Sequence, residues 1–357
     1  MTISKDAQAI VAEINKKHGE GAVVTGSELM VPARFTSGSL GLDIILGGGW
    51  PGNQWVEVIG KESNGKTAII LKTIAANQKA DPKFVTAWIA AEHYDTDQAE
   101  ALGVDNSRVI VVPTQDMEFA FETMLKFTAS KTIDCVVLDS YPALIPGEED
   151  DKTMEDAVVA VGARLFGKFF RKAGAATKRG PNDRPFLGII INQMRDQIGG
   201  FSPHGVPQTT PGGNAKNYAF YVRLTVKRDE WIDELRPGKG KQRVGQVIKL
   251  TTTKNKSAPP GQMTSVRFYF RDASRTGFRR GEYDLVEELM TYGVHYNLIA
   301  RRGAYYTIGE RRWGPGKEKL LEDLRDDTEL QTQLRKEILE IAARPDHEIF
   351  SMDDMAG

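Results

Sequence analysis

One run of eight residues has a chemistry that can be read from its spacing alone. Gly60-Lys61-Glu62-Ser63-Asn64-Gly65-Lys66-Thr67 fits G-x-x-x-x-G-K-[ST]. In such a loop the glycines let backbone N–H groups curl around phosphates. The lysine reaches the β- and γ-phosphates, and the final hydroxyl ligates Mg²⁺. The loop falls between an expected strand, WVEVIG (55–60), and an expected helix, TAIILKTIAANQKA (67–80), whose N-terminus adds partial positive charge beneath the phosphates. A purely structural glycine turn explains neither the lysine nor this strand–helix context. The run is therefore read as a nucleotide site with Mg²⁺.

Such a loop needs a second acid for the metal. Asp139 ends the apolar run DCVVLDS (134–140), so its carboxylate should emerge at the same sheet edge as the loop. An aspartate at a strand end is often only a cap; beside a phosphate loop the metal role is the better reading. Glu92 ends FVTAWIAAE (84–92) and has two readings. It polarises a water in line with the γ-phosphate, or it is the N-terminal acid of the next helix.

The elements that must position these residues follow from the pattern of apolar runs. FVTAWIAAE, RVIVVP (108–113), DCVVLDS and FLGIIINQ (186–193) are short, apolar on both faces and separated by helix-length segments. That is the signature of a buried parallel sheet in an α/β fold. YVRLTVKR, QVIKLTTTK and SVRFYFR (221–271) follow with no helix between them, so the sheet is expected to continue antiparallel. Beyond residue 271 helices and a turn-rich hairpin, GAYYTIGERRWGPGK, indicate a smaller α+β domain. The expected organisation is an N-terminal helical arm and linker (1–34), a core (35–270), the small domain (271–345) and a mobile, mildly acidic tail (346–357). In the arm, Ala7, Ile10, Val11 and Ile14 form one helical stripe. The stripe packs on the chain's own core or on a neighbouring copy.

Composition narrows the class. The 357 residues suit two domains, or one with attachments, and 40% apolar with 27% charged residues excludes wholesale disorder. The longest apolar runs, such as 186–191, fall far short of the ~20 residues that span a bilayer, and the first residues lack the apolar centre of a secretory signal. The single cysteine, Cys135, excludes a disulfide framework and a cysteine-based zinc site. A cytoplasmic protein is expected. The net charge of -1 hides an uneven field. Seven basic residues and one acid occupy 164–184, directly after six acids in GEEDDKTMED (147–156). Arg164, Lys168, Arg171 and Lys172 share one face of the helix VGARLFGKFFRKAG.

FTSGSLGLDIILGGGWP, GKESNGKT, AAEH, VVLDS, IINQMRDQIG, TPGGNAKNYA, TTTKNKSAPP and LIARRGAYYTIGERRWGPGK, in this order, resemble the bacterial and phage RecA recombinase family over nearly the whole chain. The resemblance implies a RecA-type P-loop ATPase core with a helical arm and a small C-terminal domain. It implies a DNA-dependent ATPase that assembles as a head-to-tail helical filament on single-stranded DNA, pairs it with double-stranded DNA and exchanges strands. Implied partners are further copies of the chain, a LexA-type repressor in the SOS response to DNA damage, and single-strand-binding or mediator proteins.

Residue by residue, Lys66 and Thr67 match the family's phosphate and Mg²⁺ residues, Asp139 its metal-coordinating aspartate and Glu92 its catalytic base. Asn192-Gln193 matches the dipeptide whose glutamine senses the γ-phosphate. Lys254 and Lys256 match lysines that reach the ATP of the neighbouring subunit. Between Gln193 and Asn214 lies a Gly- and Pro-rich stretch too irregular for an element; its family counterpart contacts DNA, with Arg195 and Ile198 at matching places and Gly212, Gly213 and Asn214 giving close backbone approach. Phe201 stacks on a base or tucks into the core. Arg164 and Arg171 match residues that hold DNA phosphate.

The chain also departs from the family. The loop around GEEDDKTMEDAVV is acidic, so no DNA contacts are carried over there. The family's adenine-stacking tyrosine falls near Gln98, and Tyr94 is the aromatic residue expected to replace it. The terminal tail has few acids. The alternative reading is a hexameric RecA-fold motor or helicase, which the TPGGNAK loop and the GAYYTIGERRWGPGK domain argue against. A non-hydrolysing DNA-binding scaffold is disfavoured by Glu92, Lys66, Thr67 and Asp139 together.

Overall fold

The computed structural model describes residues 3–19, 22–26, 33–147, 161–180, 182–196, 208–213, 215–236, 238, 240–313 and 315–344. Ile198, Phe201, Asn214, most of the acidic 147–156 segment and the tail lie outside them.

Residues Met1–Ala33 form one unit and those from Arg34 onward a second. In the first, helix α1 (Lys5–His18) starts at Ser4, whose hydroxyl accepts from Ala7 N. Asn15 grips the returning chain through two 2.8 Å hydrogen bonds with the backbone of Val23. The apolar stripe is present, yet α1 has no buried residue, and Ile10 is 58% exposed.

The second unit is built on an eight-stranded sheet. Its strands are β1 (Gln54–Gly60), β2 (Thr86–Ala90), β3 (Val109–Pro113), β4 (Cys135–Asp139), β5 (Leu187–Gln193), β6 (Val222–Arg236), β7 (Gly240–Asn255) and β8 (Met263–Tyr269), in the spatial order β8-β7-β6-β1-β5-β4-β2-β3. Six strands run parallel; β7 and β8 extend the sheet antiparallel. Of the three strands expected to continue antiparallel, β6 instead joins β1 in parallel, with Val222 opposite Val56. The edge strand β3 also differs from a doubly buried run: Ile110 and Val111 are exposed at the rim of the sheet.

Helices α2 (Leu40–Ile45), α3 (Lys66–Ala80), α4 (Thr96–Ala101), α5 (Met117–Ser130), α6 (Val161–Ala176) and α7 (Ala215–Ala219) accompany the sheet. Alternation along the strands feeds two cores. Val56, Val58, Ile189 and Ile191 pack in one cluster with Ile69, Ile70 and Ile74 of α3. Trp55, Ile89, Val136 and Ile190 pack in the other with Phe121 of α5 and Phe166 and Phe169 of α6. The basic face of α6 points the other way, and Arg164, Lys168, Arg171 and Lys172 are exposed.

The small domain contains α8 (Leu285–His295), α9 (Lys317–Asp326), α10 (Thr328–Ala342) and strands Ala300–Arg302, Tyr305–Ile308 and Arg311–Trp313. These three strands form a sheet where a single hairpin was expected, because positive φ at Gly303 and Gly309 makes two turns. Its apolar cluster takes in Leu40 and Ile44 of α2. Glu288 accepts hydrogen bonds from the Ser39 hydroxyl and Leu40 N, and Arg335 pairs with Asp43 at 3.3 Å. No helix among the described residues is long and apolar enough to cross a membrane.

Trp55 and Gly188 are direct partners across β1 and β5. The indole occupies the space a side chain at 188 would need: a Cβ there would stand 2.3 Å from Trp55. Gly188→Ala should therefore destabilise the fold by about 1–3 kcal/mol through overpacking. Urea unfolding checks this, and a midpoint equal to the parent's would show that the strand pair absorbs the methyl.

Candidate nucleotide site

The phosphate loop leaves β1 at Gly60 and enters α3 at Lys66. Both of its glycines are forced by packing. A Cβ at Gly60 would stand 2.3 Å from the Val226 carbonyl oxygen, and Gly65 has φ +95° with Ile248 2.6 Å from the position of its missing Cβ. Lys66 folds back and donates to the carbonyls of Gly60 (3.1 Å) and Lys61 (2.8 Å), the geometry of a lysine lying over an anion cradle. Burial lowers its pKa, opposed by the charges of Asp139, Glu92 and Glu62.

Strand register brings the acids to the same place. Gly60 is opposite Gln193 and Ala90 opposite Asp139, and the Leu138–Ile190 pairing sets Asp139 two residues short of the level of Gln193, so the four strands end within two residues of one another. Thr67 Oγ1 donates to Asp139 Oδ2 at 3.1 Å. A hydroxyl and a carboxylate side by side are the oxygen donors Mg²⁺ takes, and Lys66 lines the same cavity beside them; the residues present fit both the ion and the phosphates. Glu92 N donates to the Asp139 carbonyl at 2.9 Å, and the Glu92 carboxylate accepts from the Ser140 hydroxyl. The Asp139–Ser140 peptide is cis.

A cavity of about 620 Å³ is lined by Glu62, Ser63, Gly65, Lys66, Thr67, Glu92, Asp139 and Gln193, among others. Gly60, Lys61 and Asn64 are not part of its wall. Asn64 instead donates to the Val226 carbonyl at 3.4 Å, and with Lys61 it faces a separate pocket against β6. His93 and Gln98 reach the nucleotide cavity, whereas Tyr94 does not line it. The Tyr94 hydroxyl donates to Asn106 at 2.8 Å and its ring packs edge-on to Trp88.

Sequence reasoning missed the opposite wall: Trp231, Arg243, Gln246, Phe268 and Phe270. Trp231 is held between the guanidinium groups of Arg228 and Arg243, 3.9 and 4.0 Å from its ring centre. Register shifts in the β6–β7 pair between Arg223 and Leu224, Arg228 and Glu230, and Ile232 and Asp233 bend this hairpin, and bulges leave no mark in hydrophobic alternation. The run of three aromatic residues in SVRFYFR was the one available signal.

The remaining candidates lie away from the cavity. Lys254 Nζ donates to the Asn217 carbonyl at 2.5 Å and Lys256 Nζ to that of Tyr218 at 3.5 Å. Arg195-Asp196 and Gln208-Thr209 pair as two short strands, a neck in a stretch read as lacking elements. Gly212 (φ +112°) and Gly213 (φ +68°) press against α6: a Cβ would meet Phe166 at 2.8 Å and Ala163 at 3.1 Å, respectively. Not all of the basic 164–184 segment is a free field. Arg184 clamps Asp134 (2.5 Å) and Asp81 (2.6 Å), and Arg179 donates to the Thr128 and Ala176 carbonyls.

Residues 5–274 match the family model described as RecA N-terminal domain, and residues 287–343 that described as RecA C-terminal domain. The relative named Protein RecA from Nocardioides sp. (strain ATCC BAA-499 / JS614) is 36% identical over 341 residues, 94% of this chain and 91% of its own length. Those of Thermus aquaticus and Legionella pneumophila are each 35% identical, covering 95% and 94% of this chain and 94% and 93% of their own.

Burial raises the Asp139 carboxyl to about 6, helped by the Glu92 charge and opposed by Thr67 and Lys66. A raised acid weakens the fold while ionised. The penalty is full above pH about 6, shrinks as pH falls through that value, and is gone below the unfolded range near pH 4. In nucleotide-free protein, Asp139→Asn should raise stability at neutral pH by about 1–3 kcal/mol, with the gain vanishing near pH 4. Urea melts across this range check it; a gain independent of pH would assign the effect to packing.

Proposed function

Because the chain belongs to the RecA family, we propose that it is an ATP-dependent homologous recombinase of that type: a DNA-dependent ATPase that forms a helical filament on single-stranded DNA, pairs it with a homologous duplex and exchanges strands. The observation that carries the reading is one cavity walled by Lys66, Thr67, Asp139, Glu92 and Gln193, with Gln193 two residues before the neck of the 197–207 loop. In this reading a nucleotide site and the start of the DNA-contacting stretch share one strand end. The cytoplasm remains the expected compartment.

In this reading Thr67 and Asp139 hold Mg²⁺, which when bound neutralises phosphate charge. The loop N–H groups and Lys66 hold the phosphates. Glu92 accepts the proton of the attacking water, and the Ser140 hydroxyl fixes the orientation of its carboxylate. Gln193 meets the γ-phosphate side of the cavity. Arg164 and Arg171, on the exposed face of α6, and Arg195, at the loop neck, contact DNA phosphate, which fixes register without reading sequence. The apolar stripe of α1 docks on the next copy in a head-to-tail contact, the kind that propagates into helices. Lys254 and Lys256 lie outside this chain's cavity, which supports their use by a neighbour. Electron microscopy with single-stranded DNA and ATP tests the assembly. An open helical filament is expected; a closed ring would favour the hexameric motor, and a coat indifferent to ATP the scaffold.

The shared site has a sharper test. Glu92→Gln keeps size and hydrogen bonding but cannot take a proton, a loss of ~10²–10⁴ in rate. Lys254→Ala retains the loop and Glu92 but deprives the neighbouring site. Mixing equal amounts of these two inactive proteins should rebuild about a quarter of the interfaces if assembly is random and head-to-tail. DNA-dependent ATP hydrolysis should reappear in the mixture. Activity no higher than in either variant alone, with co-assembly verified, would favour a site completed within one chain.

A further inference from the structure

Behind the nucleotide cavity the sheet buries a second charged cluster. Glu57 lies in β1 three residues before Gly60, with 0% exposure. Its Oε1 accepts from Asn192 Nδ2 at 2.9 Å and its Oε2 from Arg223 Nε at 2.5 Å, while Lys216 Nζ stands 3.7 Å from Oε1. Lys216 is the unusual member: it is 3% exposed, and lysines are almost never fully buried unless paired. Its ammonium donates to the Thr210 carbonyl (2.6 Å), the Thr210 hydroxyl and the Pro211 carbonyl (2.8 Å). Asn192 also donates to the Pro211 carbonyl, at 3.1 Å. Arg223 reaches Asn217 Oδ1 at 3.0 Å, and the carbonyl of the same Asn217 receives Lys254.

A well-packed apolar side chain would usually stabilise such a position as well as a buried ion pair. What an apolar side chain cannot do is hold a carboxylate and two backbone carbonyls together. The groups so gathered belong to the strand that carries the phosphate loop, the strand that ends in Gln193, the limb 208–213 that returns from the 197–207 loop, and α7.

We propose that Lys216 is a positioning residue that couples DNA engagement to the nucleotide site, its ammonium locking the limb 208–213 and α7, and through Asn217 also Lys254, onto β1. The inference rests on the proposed function, since it needs a DNA-stimulated ATPase to act on. The charged groups around Lys216 are Glu57 from β1 and Arg223 from β6, and Lys254 from β7 faces the same pair. Burial pulls Lys216 down to about 8; the Glu57 charge opposes this and the Arg223 charge adds to it. The lock is therefore complete at neutral pH and lost as pH rises through about 8. An arginine in its place stays charged throughout.

The test compares ATP hydrolysis with and without single-stranded DNA, from neutral to alkaline pH, in the parent, Lys216→Arg and Lys216→Met. In the parent, the DNA-stimulated rate should fall above pH about 8, nearly tenfold per unit, with no such limb in the DNA-free rate. Lys216→Arg should keep stimulation and lose the limb. Lys216→Met should lose most stimulation at neutral pH while its KM for ATP stays near the parent's. Glu57 keeps Arg223 and Asn192 there, so the fold should hold, and urea unfolding verifies it. A limb that persists in Lys216→Arg, parental stimulation in Lys216→Met, or a parent without the limb each overturns the coupling while leaving the recombinase reading intact. A parent that DNA does not stimulate at any pH overturns both. If Lys216→Met does not fold, the limb in the parent and its absence in Lys216→Arg decide.

Discussion

The candidate site depends on one constraint, the hydrogen-bond register of four neighbouring parallel strands. Gly60 faces Gln193, Ala90 faces Asp139, and Leu138 faces Ile190, so the loop, the acids and the glutamine leave the same end of the sheet within two residues of one another. A slip of one residue would turn each inward side chain to the opposite face. The Trp55–Gly188 pair opposes such a slip, because only a glycine fits beneath that indole. The same register concentrates negative charge, setting the buried Asp139 carboxylate near that of Glu92. Thr67, Ser140 and Lys66 each offset part of that cost. An edge built this way is complementary to a cation and to phosphate rather than to itself.

What could be read in advance was local. Eight consecutive residues specify the phosphate loop. Asp139 and Glu92 were found because each ends an apolar run, and strand ends are where an α/β sheet places its chemistry. The basic face of α6 also follows from its periodicity, since Phe166 and Phe169 take the inner side. The acidic loop before it and the 197–207 loop lie outside the described residues.

What could not be read depends on partners distant in the chain. Arg184 counted toward a basic field, but Asp81 and Asp134 engage it, one more than a hundred residues away. Gly212 and Gly213 were assigned to close approach by DNA; their nearest neighbours are Phe166 and Ala163 of α6. Tyr94 was the aromatic residue nearest the matching position, yet Asn106 and Trp88 hold it, and the cavity's aromatic wall comes from β6 and β8 instead. Glu57, between two valines, and Lys216, in the polar run GGNAKN, carried no pattern at all. Such pairings are set by which strands adjoin, information that alternation does not encode.

The bent β6–β7 hairpin also gives the molecule an optical property. Of the five tryptophans, Trp50, Trp55, Trp88 and Trp313 are buried in apolar clusters. Trp231 alone faces the nucleotide cavity, its indole between two guanidinium groups. Emission from the four buried rings forms a steady background, whereas that of Trp231 depends on the charges and water immediately around it. Anything that enters the cavity and draws Arg243 away changes that environment. The chain thus contains its own fluorescent reporter of occupancy, legible without a label and separable from the rest by a single Trp231→Phe substitution.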